Sequence, residues 1–199
     1  TATNSEKLEN TSLENITSFK SNFLGFGYQL RVPKNNFSKK TSFSLDINPS
    51  FGKRKGTNVN SHQIKLKSTL SYLLDVNQRN SLYFRNSLGI LNSDTYLENE
   101  LFRIGGNSSI RGFKEQSLYV KEFVVQNIEY RYQTATNAFL YSITDLALIS
   151  TTERQEKLIG LGIGYLFSTN NAQINISAAV GSSTKTPQNF KNTQLFVNW

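Results

Sequence analysis

The feature that most constrains this chain is an alternation of apolar with polar or small side chains that recurs along its length. In the first clear case every second position carries a large apolar residue: Leu24, Phe26, Tyr28, Leu30 and Val32. Successive side chains of a β-strand point to opposite faces, so this period gives a strand one apolar and one polar face. The same period recurs to the C-terminal end and predicts nine clear strands, whereas no segment has the apolar period of a long helix.

The strands predicted in this way are long. Several run to ten residues or more, whereas strands of soluble sheets usually have about five or six. No stretch reaches the ~20 consecutive apolar residues that a transmembrane helix needs. Because a membrane-spanning strand needs apolar side chains only at alternate positions, a mean hydropathy of −0.42 is compatible with a membrane protein.

The connections between the predicted strands alternate in length. Shorter ones are predicted at 33–40, 76–80, 133–137 and 168–171, and longer polar loops at 52–61, 93–120, 151–157 and 182–192. Short turns on one side and long loops on the other are typical of outer-membrane barrels. We therefore predict an all-β fold, a transmembrane antiparallel β-barrel of about 8–10 strands with no helical domain. A soluble β-sandwich is the alternative.

Residues 18–199 are predicted to form this barrel in a bacterial outer membrane, with the C-terminus in the periplasm. Bacterial single-chain barrels have even strand numbers, so a count of nine leaves two alternatives. Either the N-terminal segment 1–17 holds a weak tenth strand, or the chain is one part of a wider wall. In the second case we expect a homodimer that shares the wall, or a missing N-terminal part of the barrel. Outer-membrane lipid is the other expected partner.

The charge and the reactive residues argue against several classes of function. The net charge is +8, but Lys and Arg are scattered over turns and alternate strand positions, so no nucleic-acid interface is expected. Cysteine is absent and the only histidine, His62, lies in a polar loop, which argues against a nucleophile–base pair and a metal site. Asp94, Glu98 and Glu100 lie in the longest loop and are expected to be solvated. We expect no enzymatic activity, no metal and no cofactor.

The longest loop carries the most specific motif of the sequence, a glycine pair followed by an Ile-Arg-Gly-Phe segment: Gly105, Gly106, Ile110, Arg111, Gly112 and Phe113. It lacks the Gly-Lys-Ser/Thr ending of a phosphate-binding loop. It closely resembles the Gly-Gly…Ile/Val-Arg-Gly-Phe/Tyr signature of the BamA/TamA-type outer-membrane insertase and translocase superfamily, also called the bacterial surface antigen family. There the motif lies at the tip of an extracellular loop that folds back into the barrel. Five strands follow it in that superfamily, and five are predicted to follow it here.

The resemblance also implies partners for the loop arginine. In the superfamily it meets acidic residues on the inner wall, one in an acidic-aromatic pair on the next strand and one in a Phe-x-Asp element on the strand after. Glu129 matches the first and Asp145 matches the second less closely, with Ala147 where a glycine is usual. Alternation independently places Glu129 on the polar face of its strand. We expect both carboxylates to pair with Arg111; a solvated loop arginine is the alternative.

The chain ends on a further motif. The apolar face of the last predicted strand consists of Leu195, Val197 and Trp199. A final strand that closes on an aromatic residue resembles the signal by which outer-membrane barrels are recognised by their insertion machinery. The alternative is an ordinary aromatic anchor at the membrane interface.

Together these resemblances imply a barrel that assists the insertion or translocation of polypeptides at the outer membrane. In that mechanism a weak seam between the first and last strands pairs with an incoming strand, and the arginine-tipped loop maintains the shape of the barrel. The alternative function is a related barrel without insertase activity, which serves as a membrane anchor or as a pore for a passenger or for solutes.

Overall fold

The computed structural model describes residues 2–5, 19–36, 39–56, 60–169, 171–184 and 193–198. Within these ranges the chain is mainly antiparallel β-sheet, with one turn of 3-10 helix at Glu98–Glu100. The strands are β1 (Ala2–Ser5), β2 (Phe19–Gly25), β3 (Tyr28–Asn36), β4 (Lys39–Gly56), β5 (Asn60–Asp75), β6 (Asn80–Ser93), β7 (Phe102–Ile104), β8 (Leu118–Val120), β9 (Glu122–Ala135), β10 (Ala138–Ser150), β11 (Gln155–Ser168), β12 (Gln173–Ser183) and β13 (Gln194–Asn198). Among the described residues, no helix is long and apolar enough to cross a membrane.

All strands except β7 and β8 belong to one sheet, in the order β1-β2-β4-β5-β6-β9-β10-β11-β12-β13, with β3 also paired to β4. β2 and β3 pair with β4 in a single register, since Gly25 lies opposite Ser50 and Tyr28 opposite Ile47. They therefore act as one strand interrupted at residues 26–27. The interruption coincides with Pro49, whose carbonyl accepts a bond from the Phe26 N–H but which has no N–H to donate in return.

With β2 and β3 counted as one strand, the wall contains the nine strands that the alternation predicts, and the all-β fold is confirmed. β1 adds a short strand beside β2 and lies inside the N-terminal segment 1–17. The remainder of that segment, residues 6–17, is outside the described ranges. β1 and β13 are the outermost strands, and no ladder joins them in the described part of the chain, so the sheet there is an open wall.

The two faces of the wall differ sharply in polarity. On β11, exposed Leu161 and Ile163 alternate with Gly160, Gly162 and Gly164 on the other face. The outer face carries large apolar side chains on strand after strand, with exposures reaching 82% at Leu24. A soluble protein rarely exposes so continuous an apolar surface, whereas a membrane barrel presents it to the lipid hydrocarbon.

The buried core lies on the inner face of the wall, beneath residues 94–121. This segment joins β6 to β9 and contains the 3-10 helix and the β7–β8 hairpin. Its fully or nearly fully buried side chains pack on inward side chains of the wall; the cluster comprises Leu91, Phe102, Ile104, Ile110, Val120, Val125, Ala147, Ile149 and Leu158. The longest predicted loop therefore does not extend into solvent, because its apolar residues cover the inner wall.

Several predicted connections are partly strand in the structure, including the one predicted at 33–40, where β3 continues to Asn36 and β4 begins at Lys39. Residues 52–61 were expected to form a long loop, but β4 continues to Gly56 and β5 begins at Asn60. Likewise, β11 begins at Gln155 inside the loop expected at 151–157. The predictions were wrong because a strand that extends past the lipid loses its apolar alternation while the backbone ladder continues. Lys53 lies opposite His62 in such a polar extension, so His62 lies on β5 and the prediction that it lies in a loop was wrong.

Candidate functional site

The tip of the long loop is built on glycines with positive φ angles. Gly105 and Gly106 have φ of 113° and 85°, and Gly112 has φ of 89°, in a region that other residues rarely adopt. The Ser109 hydroxyl accepts a hydrogen bond of 2.7 Å from the Gly105 N–H, which closes the turn. The chain turns at these glycines, and the Arg111 side chain lies against the inner wall.

Arg111 contacts both carboxylates that the motif resemblance assigns to it. Its Nε and Nη2 donate to the two oxygens of Asp145 at 2.8 and 2.7 Å, and its Nη1 donates to Glu129 Oε1 at 2.5 Å. The Arg111 backbone N–H donates to Asp145 Oδ2 at 2.8 Å. All three side chains are at least nine-tenths buried, and the Asp145 side chain is 0% exposed. We call these side-chain hydrogen bonds of Arg111 to Asp145 and Glu129 the fork. A planar guanidinium can form it because its parallel donors match the geometry of a carboxylate.

A second arginine completes the network. Arg131 donates to the other oxygen of Glu129, with Nη2 at 2.7 Å, so that this carboxylate bridges two guanidinium groups. The Arg131 guanidinium also lies 4.0 Å from the ring centroid of Tyr83 and 4.9 Å from that of Phe139. Stacking between aromatic rings holds such a group in place. Arg131 was not among the residues that the sequence singled out, although it follows Glu129 at the spacing of the inward face.

The buried charges determine the protonation of Arg111. Burial by itself lowers the pKa of this guanidinium, but the hydrogen bonds to Asp145 and the charges of Glu129 and Asp145 outweigh burial. The net result is a pKa above the usual value for arginine. Arg111 is therefore charged throughout the accessible pH range.

The backbone of the loop tip packs directly against two glycines of the wall, Gly160 and Gly181, which we call the glycine seat. Gly160 of β11 lies opposite Gly181 of β12. A Cβ on Gly160 would lie 2.1 Å from the Arg111 carbonyl oxygen, and one on Gly181 would lie 2.6 Å from the Gly112 carbonyl oxygen. Only residues without a side chain allow the loop backbone to approach this closely. Sequence reasoning missed this seat, since small residues on the inward face of a strand are common and do not indicate a docking partner.

The other predicted site residues are in different places. Ile110 is fully buried in the core beneath the loop, and Phe113 packs against the same cluster. Leu195 and Val197 are exposed on the outer face of β13, as the alternation predicts. Trp199, the last residue of the proposed C-terminal signal, lies outside the described residues.

The beginning of the loop is held by a separate buried ion pair that the sequence did not predict. Arg54 of β4 pairs with Glu100, and their side chains are 3% and 7% exposed. Arg54 also bonds to Thr95, and Gln63 of β5 donates to Glu100 Oε1 at 2.9 Å. We call this set, Arg54, Gln63, Thr95 and Glu100, the root anchor. The expectation that Glu100 is solvated was wrong, because residues 94–101 fold onto the inner wall instead of extending away from it.

The loop thus spans the inner face of the wall between two polar attachments. The root anchor ties it to β4 and β5, and Arg111 ties it to β9 and β10. An apolar outer face, a polar inner face and an inward-folded loop fixed by an arginine define an outer-membrane β-barrel protein.

Comparison with known protein families identifies which kind of barrel this is. Residues 10–182 match the haemolysin secretion/activation protein family ShlB/FhaC/HecB. The chain belongs to this family, whose members are outer-membrane proteins of polypeptide secretion. The resemblance noted in the sequence holds at the level of the superfamily, while a membership of the BamA/TamA type does not follow from the match. A comparison with curated individual proteins finds no match.

Proposed function

We propose that this chain forms part of a barrel wall through which a partner polypeptide is secreted across the outer membrane. The observation that supports the proposal is the fork of Arg111 on Asp145 and Glu129, which holds the loop inside the wall. A folded-in loop occupies the space that a translocating chain would use. Secretion therefore requires the loop to shift or to share the lumen with its substrate.

The chemistry of the attachments fits a loop that must move. Apolar packing holds the middle of the loop, but ion pairs and hydrogen bonds determine its position at both ends. When a charged or hydrogen-bonding side chain of the loop leaves its partner, water and the polar groups of an extended polypeptide can replace the lost bonds. Loop displacement during passage is then less costly than exposure of a wholly apolar interface.

The orientation of the barrel is part of the proposal. The turns at 76–79 and 136–137 and the connection between β11 and β12 lie at one end of the strands, and the 94–121 loop lies at the other. Following the usual arrangement of such barrels, we place the short turns and the end of β13 in the periplasm. Cysteine-specific labelling of whole cells tests this: a cysteine at Thr152 is expected to react from outside, and one at Thr136 is not.

Secretion of the partner polypeptide by variants of Arg111 tests the function. Arg111→Ala is expected to reduce secretion at least tenfold while the barrel still assembles in the outer membrane. Arg103→Ala is the matched control, since Arg103 lies on the same loop but stacks on Tyr119 and is exposed. Equal secretion by wild type and Arg111→Ala would show that secretion does not depend on the fork. Absence of secretion by the wild type would contradict the proposal and favour a barrel that serves only as an anchor or a solute pore.

Insertion of barrel proteins is a second candidate function. The open edges of β1 and β13 in the described wall favour it, because an unpaired edge offers backbone groups to an incoming strand. Purified protein in liposomes is expected to accelerate the insertion of an unfolded barrel substrate if this function is present. A rate equal to that of empty liposomes would count against it and leave the secretion proposal untouched.

We also propose that a partner completes the wall, either a second copy of this chain or further strands of a wider barrel; the open sheet of the described residues supports this proposal. Inward side chains just fill a barrel of about eight strands, so a loop of this size inside the wall needs a larger circumference. The molar mass of the detergent-solubilised protein distinguishes a second copy of the chain from further strands of a wider barrel. A dimer supports a wall shared by two copies. A compact monomer containing only these strands would contradict both.

A further inference from the structure

We propose that the outer face of β2 and β4 carries a binding site for the phosphate groups of a lipid in the leaflet at the long-loop end of the barrel. The site is the lysine patch, consisting of Lys20, Lys53 and Lys55. Its three side chains are exposed and lie on the outer face of the sheet, opposite in phase to the buried Ser21 and Arg54.

The strand register places the three lysines beside one another. Lys20 lies directly opposite Lys55, and Lys53 lies two positions along the same face of β4. Like charges directly opposite each other destabilise a pair of strands. Within the described part of the chain, none of the three lysines has an ion-pair partner. The Asp94 carboxylate, which follows the end of β6, accepts a bond from the His62 backbone N–H and is not paired with a lysine of the patch. An external anion would relieve the repulsion.

The patch borders the lipid-facing surface. The row of side chains next to it toward the middle of the strands is formed by Leu24, Phe51 and Ile64, which are paired across β2, β4 and β5 and are all exposed. A molecule bound here meets hydrocarbon-like side chains on one side and ammonium groups on the other. This combination fits a phosphorylated lipid, with its acyl chains against the apolar row and its phosphates against the lysines.

Among the described strand residues, the outer face at this end carries neighbouring lysines only on β2 and β4. At the same end of the strands, the outer face of β9 carries Glu122 and that of β11 carries Lys157, so the signs are mixed there. A basic band that served only general attraction to an anionic membrane would not need to be limited to adjacent strands. The clustering indicates one site for a lipid bearing more than one phosphate.

Native mass spectrometry of the full chain in an uncharged detergent tests the site. The probes are a bis-phosphorylated lipid A, the same lipid without its phosphates, and inorganic phosphate. The wild type is expected to retain the phosphorylated lipid and to release the dephosphorylated one. Each lysine near an anionic surface contributes roughly fivefold in affinity, so Lys53→Gln combined with Lys55→Gln is expected to weaken binding about 30-fold.

The matched control removes the same charge elsewhere, by Lys114→Gln combined with Lys157→Gln, and is expected to change the affinity less than threefold. An equal loss in both double variants would overturn the proposal in favour of general electrostatic attraction. Equal retention of both lipids would also overturn it, as would displacement of the lipid by millimolar phosphate. Heat-modifiable migration of each variant verifies that the barrel is folded. The site needs only a membrane-inserted barrel, so its failure would not bear on secretion.

Discussion

At the scale of single residues, the site depends on the difference between a guanidinium and a simple positive charge. Arg111 makes three side-chain hydrogen bonds to two carboxylates that are both buried. A carboxylate left unpaired in such a place is costly, because it has lost its hydration without gaining a counter-charge. We therefore expect a conservative substitution of Arg111 to lower the free energy of unfolding less than a radical one does.

We predict that Arg111→Ala lowers the free energy of unfolding by about 3–5 kcal/mol. Arg111→Lys is expected to recover only part of the loss, since an ammonium group keeps the charge but cannot reproduce the planar fork. The measurement is thermal unfolding in detergent, followed by heat-modifiable migration. If lysine restored full stability, charge alone would suffice and the fork geometry would be irrelevant.

The glycine seat gives a second prediction at this scale. Gly160→Ala places a Cβ against the Arg111 carbonyl oxygen, so the tip must move away, at a cost of about 1–3 kcal/mol. Gly27→Ala is the control, because its Cβ meets only the end of the flexible Asn48 side chain. Limited proteolysis within 105–117 is expected to be faster in Gly160→Ala than in the control. Equal rates would show that the tip does not depend on the seat.

At the scale of elements, the loop behaves as a brace across the wall. Its root is bound to β4 and β5, and its tip contacts β9, β10, β11 and β12. These two groups of strands lie on either side of β6 in the sheet. Attachment of one rigid segment to both groups fixes how strongly the sheet curves between them.

The root anchor allows a test that separates charge from packing. Glu100→Gln is expected to cost about 3–5 kcal/mol, because it leaves the buried Arg54 without its counter-charge. The double variant Arg54→Met, Glu100→Leu is expected to recover most of that loss, since both charges are removed together. Chemical unfolding in detergent of Arg54→Met, of Glu100→Leu and of the double variant gives the free energies of the cycle. Strictly additive effects would contradict direct coupling of the two side chains.

At the scale of the whole molecule, the two faces of the sheet indicate what surrounds it: lipid on the outer side, and water and polar groups on the inner side. Ile163 is 64% exposed in the middle of the apolar outer face of β11, whereas Thr69 of β5 belongs to the inner face. The same new charge should therefore have opposite consequences at the two positions. Water and polar groups are available on the inner face, and only hydrocarbon on the outer.

Accordingly, Ile163→Arg is expected to destabilise the membrane-inserted state by ~2–4 kcal/mol, as for a charge near the bilayer midplane. Thr69→Arg serves as the comparison and is expected to be tolerated. Urea-dependent folding into phospholipid vesicles measures both. A larger penalty at Thr69 than at Ile163 would reverse the assignment of the faces.

The features that the sequence predicts correctly are those that depend on a local pattern of residues. The period of two in segments such as 159–167 depends only on neighbouring residues, so it predicts the strands, their two faces and the membrane environment. The loop motif identified the superfamily and pointed to Arg111, Glu129 and Asp145. The ends of β4 and β5 were misjudged because polar strand extensions have no local signature.

Only the tertiary structure decided how the long loop is held. Arg54 and Glu100 are 46 positions apart, and neither lies in a pattern that distinguishes it from a solvated charge. The Gly160 and Gly181 seat likewise exists because two strands pair in a particular register under one loop tip. The sequence by itself determined a membrane wall with an arginine-tipped loop. The motif also pointed to the two acidic partners of that arginine. Folding alone determined the root attachment and the glycine seat beneath the tip, since those contacts join residues that no local period relates.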